Sequence, residues 1–382
     1  MILEPLRIHA IELARANVLQ ELRAVNADDG QVDDNIQRNR RSRIQEKIRR
    51  LKPGATTAIA AMKCTNGDIV SSPELIAKEL RQYWAQVFEH RPHDQHLLQH
   101  WIDEEIDASG VPFGDDTDWR IQRKHVAKAI DRAPDTMPGP DGIPYSAWKR
   151  FRFIATDIVW EAILALGEED AAEQLRGMDP NTQNEAHSFN LGNMVFLPKK
   201  IAGHDPLAGD YYTAADTRPL VIVNTDNRII ANAIRIHLEP IVAQWISPMQ
   251  RGFLPGRSML ANVIDIEHLS QGNMLKHDRG CTILFDFKAA FPSLCHGYLP
   301  ETSRGLGIPR HICHMIKSLY DGHRCNIGFK GQNYKGFEIS AGIRQGCPLS
   351  PLLFALVIDI FLRRIHRHIP TAEVRAFALI LD

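Results

Sequence analysis

The segment Thr282-Ile283-Leu284-Phe285-Asp286 is an apolar run that ends in a carboxylate, and an aromatic side chain, Phe291, follows five residues later. A carboxylate at the end of a buried strand is costly to desolvate unless a cation lies against it, and a divalent metal ion is the strongest such partner. The same aspartate could instead cap a following helix, and the segment alone leaves both readings open. A second concentration of chemistry lies upstream, where Arg38, Arg40, Arg41, Arg43, Lys47, Arg49, Arg50 and Lys52 crowd a short stretch opposed only by Glu46. Those cations suit contact with nucleic-acid phosphate, and they equally suit a solvated helix face. His311, Cys313 and His314 lack the second pair of ligands that a tetrahedral zinc site needs, so an amphipathic helix and no zinc are expected there.

The elements that must position these groups can be read in outline. Ser72-Pro73 marks a helix start, followed by Ile76, Leu80, Trp84 and Val87 on one face. Helical patterns recur from Pro5 to Leu22, at Val126 to Ile130, from Ile154 to Leu166 and from Leu349 to Ile365. Strand-like runs appear at Met194 to Leu197, Pro219 to Val223 and Thr282 to Phe285, with a hairpin from Cys325 to Ile339. Pro140-Asp141-Gly142 reads as a turn, because proline fixes one dihedral and glycine permits another. Helices and strands mix without strict alternation, which predicts an α+β fold.

Bulk properties narrow the class. With 382 residues, 44% hydrophobic and 24% charged, the chain reads as globular and large enough for about two domains. Its net charge of -1 carries no global nucleic-acid footprint, so any such footprint must be local. The six cysteines show no Cys-x-x-Cys pair and are expected to be reduced. No apolar stretch reaches the roughly 18 residues of a membrane span, and the N-terminus does not read as a secretory signal.

Several segments gain meaning together. Phe196-Leu197-Pro198-Lys199, Thr217-Arg218-Pro219-Leu220, Pro138 to Pro144, Gly252 to Ser258, Asp286 to Ser293 and Arg344 to Phe354 occur in an order that resembles the reverse transcriptases of non-LTR (LINE-like) retrotransposons. The resemblance runs from about Val126 to the C-terminus. It implies a right-hand polymerase, with a helical linker region over 1–125, fingers over 126–277 and a partial palm, an antiparallel sheet backed by helices, over 278–382, the thumb being absent. It also implies roles. Asp286 and the backbone carbonyl of Phe287 would hold magnesium at a two-ion site, since hard cations choose oxygen. Phe291 would lie beneath the incoming sugar, Lys199 and Arg218 would clamp the triphosphate, and Gln345 with Gly346 would border nucleotide and template. Partners would be an RNA template, a DNA primer and deoxynucleoside triphosphates. Lineage alone suggests nucleus and cytoplasm.

The sequence departs from that family in one place. Where two consecutive aspartates are expected after Arg375-Ala376-Phe377-Ala378, it reads Leu379-Ile380-Leu381-Asp382. Two divalent ions about 4 Å apart repel by roughly 16 kcal/mol at an effective dielectric of 20, so several carboxylates must offset them. Asp286 is not enough, and a weak or inactive polymerase is expected from these residues. A non-catalytic binder of RNA or RNA–DNA hybrid is the alternative, and an intron maturase-like RNA-processing protein a minor one.

Overall fold

Among the described residues, eleven helices and two four-stranded sheets form the α+β fold expected from the mixed patterning. The computed structural model describes residues 59–110, 113, 116–177, 188–276, 286–287 and 289–369, together with Ala16 and Gln20. Residues 1–60 and 61–382 are separate units. The basic stretch Arg38 to Lys52, the strand expected over Thr282 to Phe285 and the segment from Arg375 to Asp382 lie outside the described residues, as does nearly all of the helix expected from Pro5 to Leu22.

In the smaller sheet, β1 (Ala61–Lys63) pairs antiparallel with β2 (Ile69–Val70) and parallel with β5 (Gly209–Tyr212), which pairs antiparallel with β4 (Gly203–Asp205). The larger sheet has the order β6-β3-β7-β8, from β3 (Leu191–Pro198), β6 (Thr217–Val223), β7 (Arg324–Phe329) and β8 (Gln332–Glu338). Strand β6 buries Thr217, Pro219, Val221 and Val223 and leaves Arg218, Leu220 and Ile222 partly exposed, the period-two pattern of a half-buried strand. β7 and β8 form the expected hairpin, turning at Lys330 and Gly331 with φ of 48° and 79°, the left-handed pair that matches strand twist. β7 runs parallel to β3, so this sheet is mixed and joins strands from both sides of residue 278. The antiparallel palm sheet expected from the resemblance would require segments outside the described residues.

Helix α1 (Pro73–Val87) starts with its proline and buries Ile76, Leu80 and Trp84. The Trp84 indole donates to the Thr217 hydroxyl at 3.1 Å and so ties α1 to the start of β6. α2 (Gln95–Ser109) is capped by Asp94, whose carboxylate accepts from the Leu97 amide at 3.0 Å. α3 (Arg123–Asp131), α4 (Tyr145–Arg150), α5 (Arg152–Ala165) and α6 (Ala171–Gly177) lead to α7 (Thr225–Trp245), which runs through the core with Ile229, Ile230, Ile234, Leu238 and Val242 buried. α8 (Met259–Lys276), α9 (Tyr298–Gly305) and α10 (Arg310–Tyr320) follow, then α11 (Ser350–His368), the helix expected over 349–365. α10 is amphipathic, burying Ile312, Met315, Ile316 and Leu319, while His314 meets the Gly167 carbonyl at 3.2 Å. Among the described residues no helix is long and apolar enough to cross a membrane.

Candidate active site

Two of the sequence motifs prove to be strand partners. In the β3–β6 ladder Leu197 lies opposite Arg218 and Pro198 opposite Thr217, so Lys199 and Arg218 emerge at the same end of the pair. The Lys199 amide donates to the Asp216 carbonyl at 2.8 Å, which fixes the chain where it leaves β3. Lys199 is exposed, yet its ammonium is held below the ordinary lysine value, first by partial desolvation and then by the charge of Arg218. Asp216 and Asp286 act in the opposite direction, so the field of Asp286 reaches this lysine.

The loop Gly342–Gly346 links β6 to the Phe291–Leu294 segment. Its Gly342 and Ile343 amides donate to the carbonyls of Leu294 (2.6 Å) and Phe291 (2.9 Å), and the Gln345 carbonyl accepts from the Val221 amide of β6 at 2.9 Å. Gly346 has φ of 106°, and a Cβ there would lie 3.1 Å from the Val221 carbonyl, so both backbone and neighbour call for glycine. Gly342 is as constrained, since a Cβ would fall 2.4 Å from the Pro292 carbonyl. Asp286 and Phe287 are exposed, with the Phe287 ring edge-on to Phe361 at 6.0 Å between centroids. Phe291 is half-buried and packs between Phe253 (5.6 Å) and Phe354 (4.7 Å). Its packing is that of a core residue, and Phe253 adopts φ of 61°, a conformation that costs a non-glycine residue of order 1–2 kcal/mol. Periodicity gave no sign of Phe253 and Phe354 as the supports of Phe291.

A cleft of about 880 Å³ is lined by Gly346, Leu220, Val221, Ile222 and Phe253, and also by Lys128, Arg132, Arg228 and Arg235. Arg228 is partly spoken for, donating to the Met137 carbonyl at 2.7 Å and to the Thr136 hydroxyl at 3.3 Å. Arg344, the neighbour of Gln345, is 1% exposed, donates to the Leu319 carbonyl at 2.6 Å and lies 5.0 Å over the Tyr320 ring. It anchors the loop from within.

Other motif residues turn out to carry architecture. Asn224 accepts from the Asp141 amide at 3.1 Å, and a Cβ on Gly139 would overlap its backbone, so the Pro140-Asp141-Gly142 turn is clamped to the start of α7. Arg257 donates to the carbonyls of Ala243, Ile246, Ser247 and Gln250 at 2.6–2.9 Å, satisfying the orphan acceptors at the end of α7.

For a metal, Asp286 and the Phe287 carbonyl offer hard oxygen donors, but one carboxylate does not amount to a two-ion set. A group of three possible ligands among the described residues, Glu104, Glu105 and His368, lies elsewhere. Arg364 and Arg367 already engage both of its carboxylates, so it is an ion-pair cluster joining α2 to α11.

The family described as reverse transcriptase (RNA-dependent DNA polymerase) matches residues 199–378. Over 254 residues, 64% of this chain, the sequence is 32% identical to the Pol polyprotein of the type-2 retrotransposable element R2DM of Drosophila melanogaster, covering 21% of that protein. A Pol polyprotein of a type-1 element R2 of Nasonia vitripennis is 25% identical over 65% of this chain and 22% of its own length. The Xenopus laevis transposon TX1 149 kDa protein is 30% identical over 44% of this chain and 12% of its own. The chain carries a reverse transcriptase domain. Its kinship is with the Pol proteins of non-LTR retrotransposons, and it spans about a fifth of the length of the R2 relatives.

Proposed function

We propose that this domain is by lineage an RNA-directed DNA polymerase, that it binds a deoxynucleoside triphosphate and an RNA template with its DNA primer, and that these 382 residues alone extend a primer weakly or not at all. The observation that carries the reading is the loop Gly342–Gly346, hydrogen-bonded on one side to the Phe291–Leu294 segment and on the other to β6, which presents Arg218 beside Lys199. A point charge and a guanidinium at one strand end suit a polyphosphate, and Phe291 would lie beneath the sugar. Asp286 with the Phe287 carbonyl would hold magnesium, whose chemistry is to activate the primer hydroxyl and neutralise phosphate charge. Asp286 is the one carboxylate that the recognised motifs assign to this site, fewer than two divalent ions call for. The stretch from Arg38 to Lys52 would add affinity for the nucleic-acid backbone, in nucleus and cytoplasm alike.

Binding without extension, as a holder of RNA or RNA–DNA hybrid, is the second reading, favoured by that same shortage of carboxylates. Primer extension on poly(rA)/oligo(dT) with magnesium separates the two, comparing the chain, its Asp286→Ala variant and a version lengthened through the following codons. Extension only by the lengthened chain, abolished by Asp286→Ala, is the expected result. Robust extension by the 382 residues themselves would sink the claim of weakness, and no template binding by any version, measured by gel shift on the same duplex, would sink both binding readings.

A further inference from the structure

Outside the polymerase site, one thiol is set against a base and an orienting group. The Cys295 Sγ lies 3.3 Å from His93 Nδ1, and His93 Nε2 lies 3.0 Å from Gln95 Oε1. The Gln95 amide nitrogen donates to a Glu301 carboxylate oxygen at 2.9 Å, and a carboxylate can only accept, so the orientation of the Gln95 amide is settled. Its oxygen must then accept from His93 Nε2–H, which leaves Nδ1 as the acceptor facing the thiol. Gly297 makes the approach possible, because a Cβ there would fall 2.6 Å from His93 Nε2. The Arg91 carbonyl, 3.5 Å from Nδ1, has no role in the neutral tautomer but can accept once Nδ1 is protonated. Both ring nitrogens therefore have oxygen acceptors waiting for the imidazolium.

We propose that Cys295, with His93 as its base and Gln95 as the residue that fixes the imidazole, is a site of thiol–disulfide exchange with low-molecular-weight disulfides of the glutathione class. The thiol proton passes to His93 Nδ1 and the thiolate attacks one sulfur of the disulfide. The reagent's S–S bond breaks as the new S–S bond to Cys295 forms, and the departing thiolate takes the proton back from His93. The small disulfide is the oxidant and is reduced to one thiol. Cys295 is half-buried beside the exposed His93, whereas burial pushes the Cys313 thiol up to about 11 and the Cys325 thiol up to about 12. Cys295 also immediately follows Leu294, whose carbonyl receives the Gly342 amide, so an adduct forms beside the loop of the polymerase site. The exchange chemistry itself does not depend on polymerase function.

The test treats the full chain at pH 7 with oxidised glutathione and follows each cysteine-containing peptide by mass spectrometry. Cys295 is expected to react at least about ten-fold faster than Cys64, which is half-buried as Cys295 is, and His93→Phe to slow it by about the same factor. Gln95→Leu, which leaves the imidazole in place but unoriented, is expected to slow Cys295 by a smaller factor while Cys64 keeps its rate. Melting temperatures of the variants, both at exposed positions, control for folding. Equal rates at Cys295 and Cys64, or a Cys295 rate indifferent to both substitutions, would overturn the proposal. None of these outcomes bears on primer extension.

Discussion

Arg257 and Arg218 both belong to motifs that drew attention in the sequence, and their surroundings are opposite. Arg257 spends its guanidinium on four main-chain carbonyls at the end of α7. Arg218 stands on the partly exposed face of β6, beside the exposed Lys199, at a strand end whose neighbours include the field of Asp286. The ends of α7 are thus spent on holding the fold, while the end of the β3–β6 pair sets two cations side by side, the Lys199 ammonium 3.5 Å from the Ala215 carbonyl. Motif membership alone does not distinguish a residue that braces the site from one that faces it.

Removing the brace should cost most. Arg257→Met leaves carbonyls at a helix end without their charged donor and should lower unfolding free energy by about 3 kcal/mol, read from urea melts. If Arg257→Met melts like the parent, the α7 end is not a brace and the contrast fails. At the other end of the same helix the expected change has the opposite sign. Asp226 is half-buried and its carboxyl is pushed up to about 6, chiefly by desolvation, with Asp141 adding to it. A raised carboxyl contributes stability that is present below its ordinary value of 3.8 and lost as pH rises through about 6. Asp226→Asn keeps an acceptor for the Asn227 amide and should stabilise the protein at pH 7 by about 2 kcal/mol, the gain disappearing by pH 4.

A third element is the loop Gly342–Gly346, which ties β6 to the Phe291–Leu294 segment. Gly346→Ala combines a left-handed backbone with a Cβ 3.1 Å from the Val221 carbonyl and should cost about 1–2 kcal/mol. Hydrogen exchange at the Val221 amide, which bonds Gln345, should quicken selectively. Uniform loss of protection instead would mean that the loop is part of the core and not a separable edge of the site.

Much of this was legible before any coordinates. The strand run Pro219 to Val223, the Ser72-Pro73 helix start and the hairpin from Cys325 to Ile339 are local signals, set by residue type, proline and turn-forming glycine, and they fell within a residue or two of the elements found. The site was legible as a set of types, but not as a geometry. Nothing in sequence spacing announces that Leu197 faces Arg218, or that Gln345 reaches back across 124 residues to Val221 (345 − 221 = 124), because ladders and loop docking are set by tertiary packing. The roles of Asn224, Arg257 and Arg344 were hidden for the same reason, since a polar side chain that satisfies buried backbone looks, in one dimension, like any surface residue. Phe291 illustrates the overlap, for it sits in the expected motif and is packed as a core aromatic.

The smallest effect on stability should accompany the largest effect on binding. Lys199 is exposed and its ammonium is depressed below the ordinary 10.5, so it withholds stability that returns only as pH climbs through its folded value toward 10.5. Lys199→Met removes that unfavourable contribution, and because solvent screens so exposed a charge the change at pH 7 should stay within about 0.5 kcal/mol. Loss of a point charge from a polyphosphate contact should weaken dTTP binding, measured by titration calorimetry, about ten-fold. Arg257→Met, assayed at a temperature where it remains folded, should leave that affinity within about two-fold, because its guanidinium is committed to carbonyls remote in role from the strand end. Equal losses of affinity in both variants would erase the distinction between the region that braces and the region that binds.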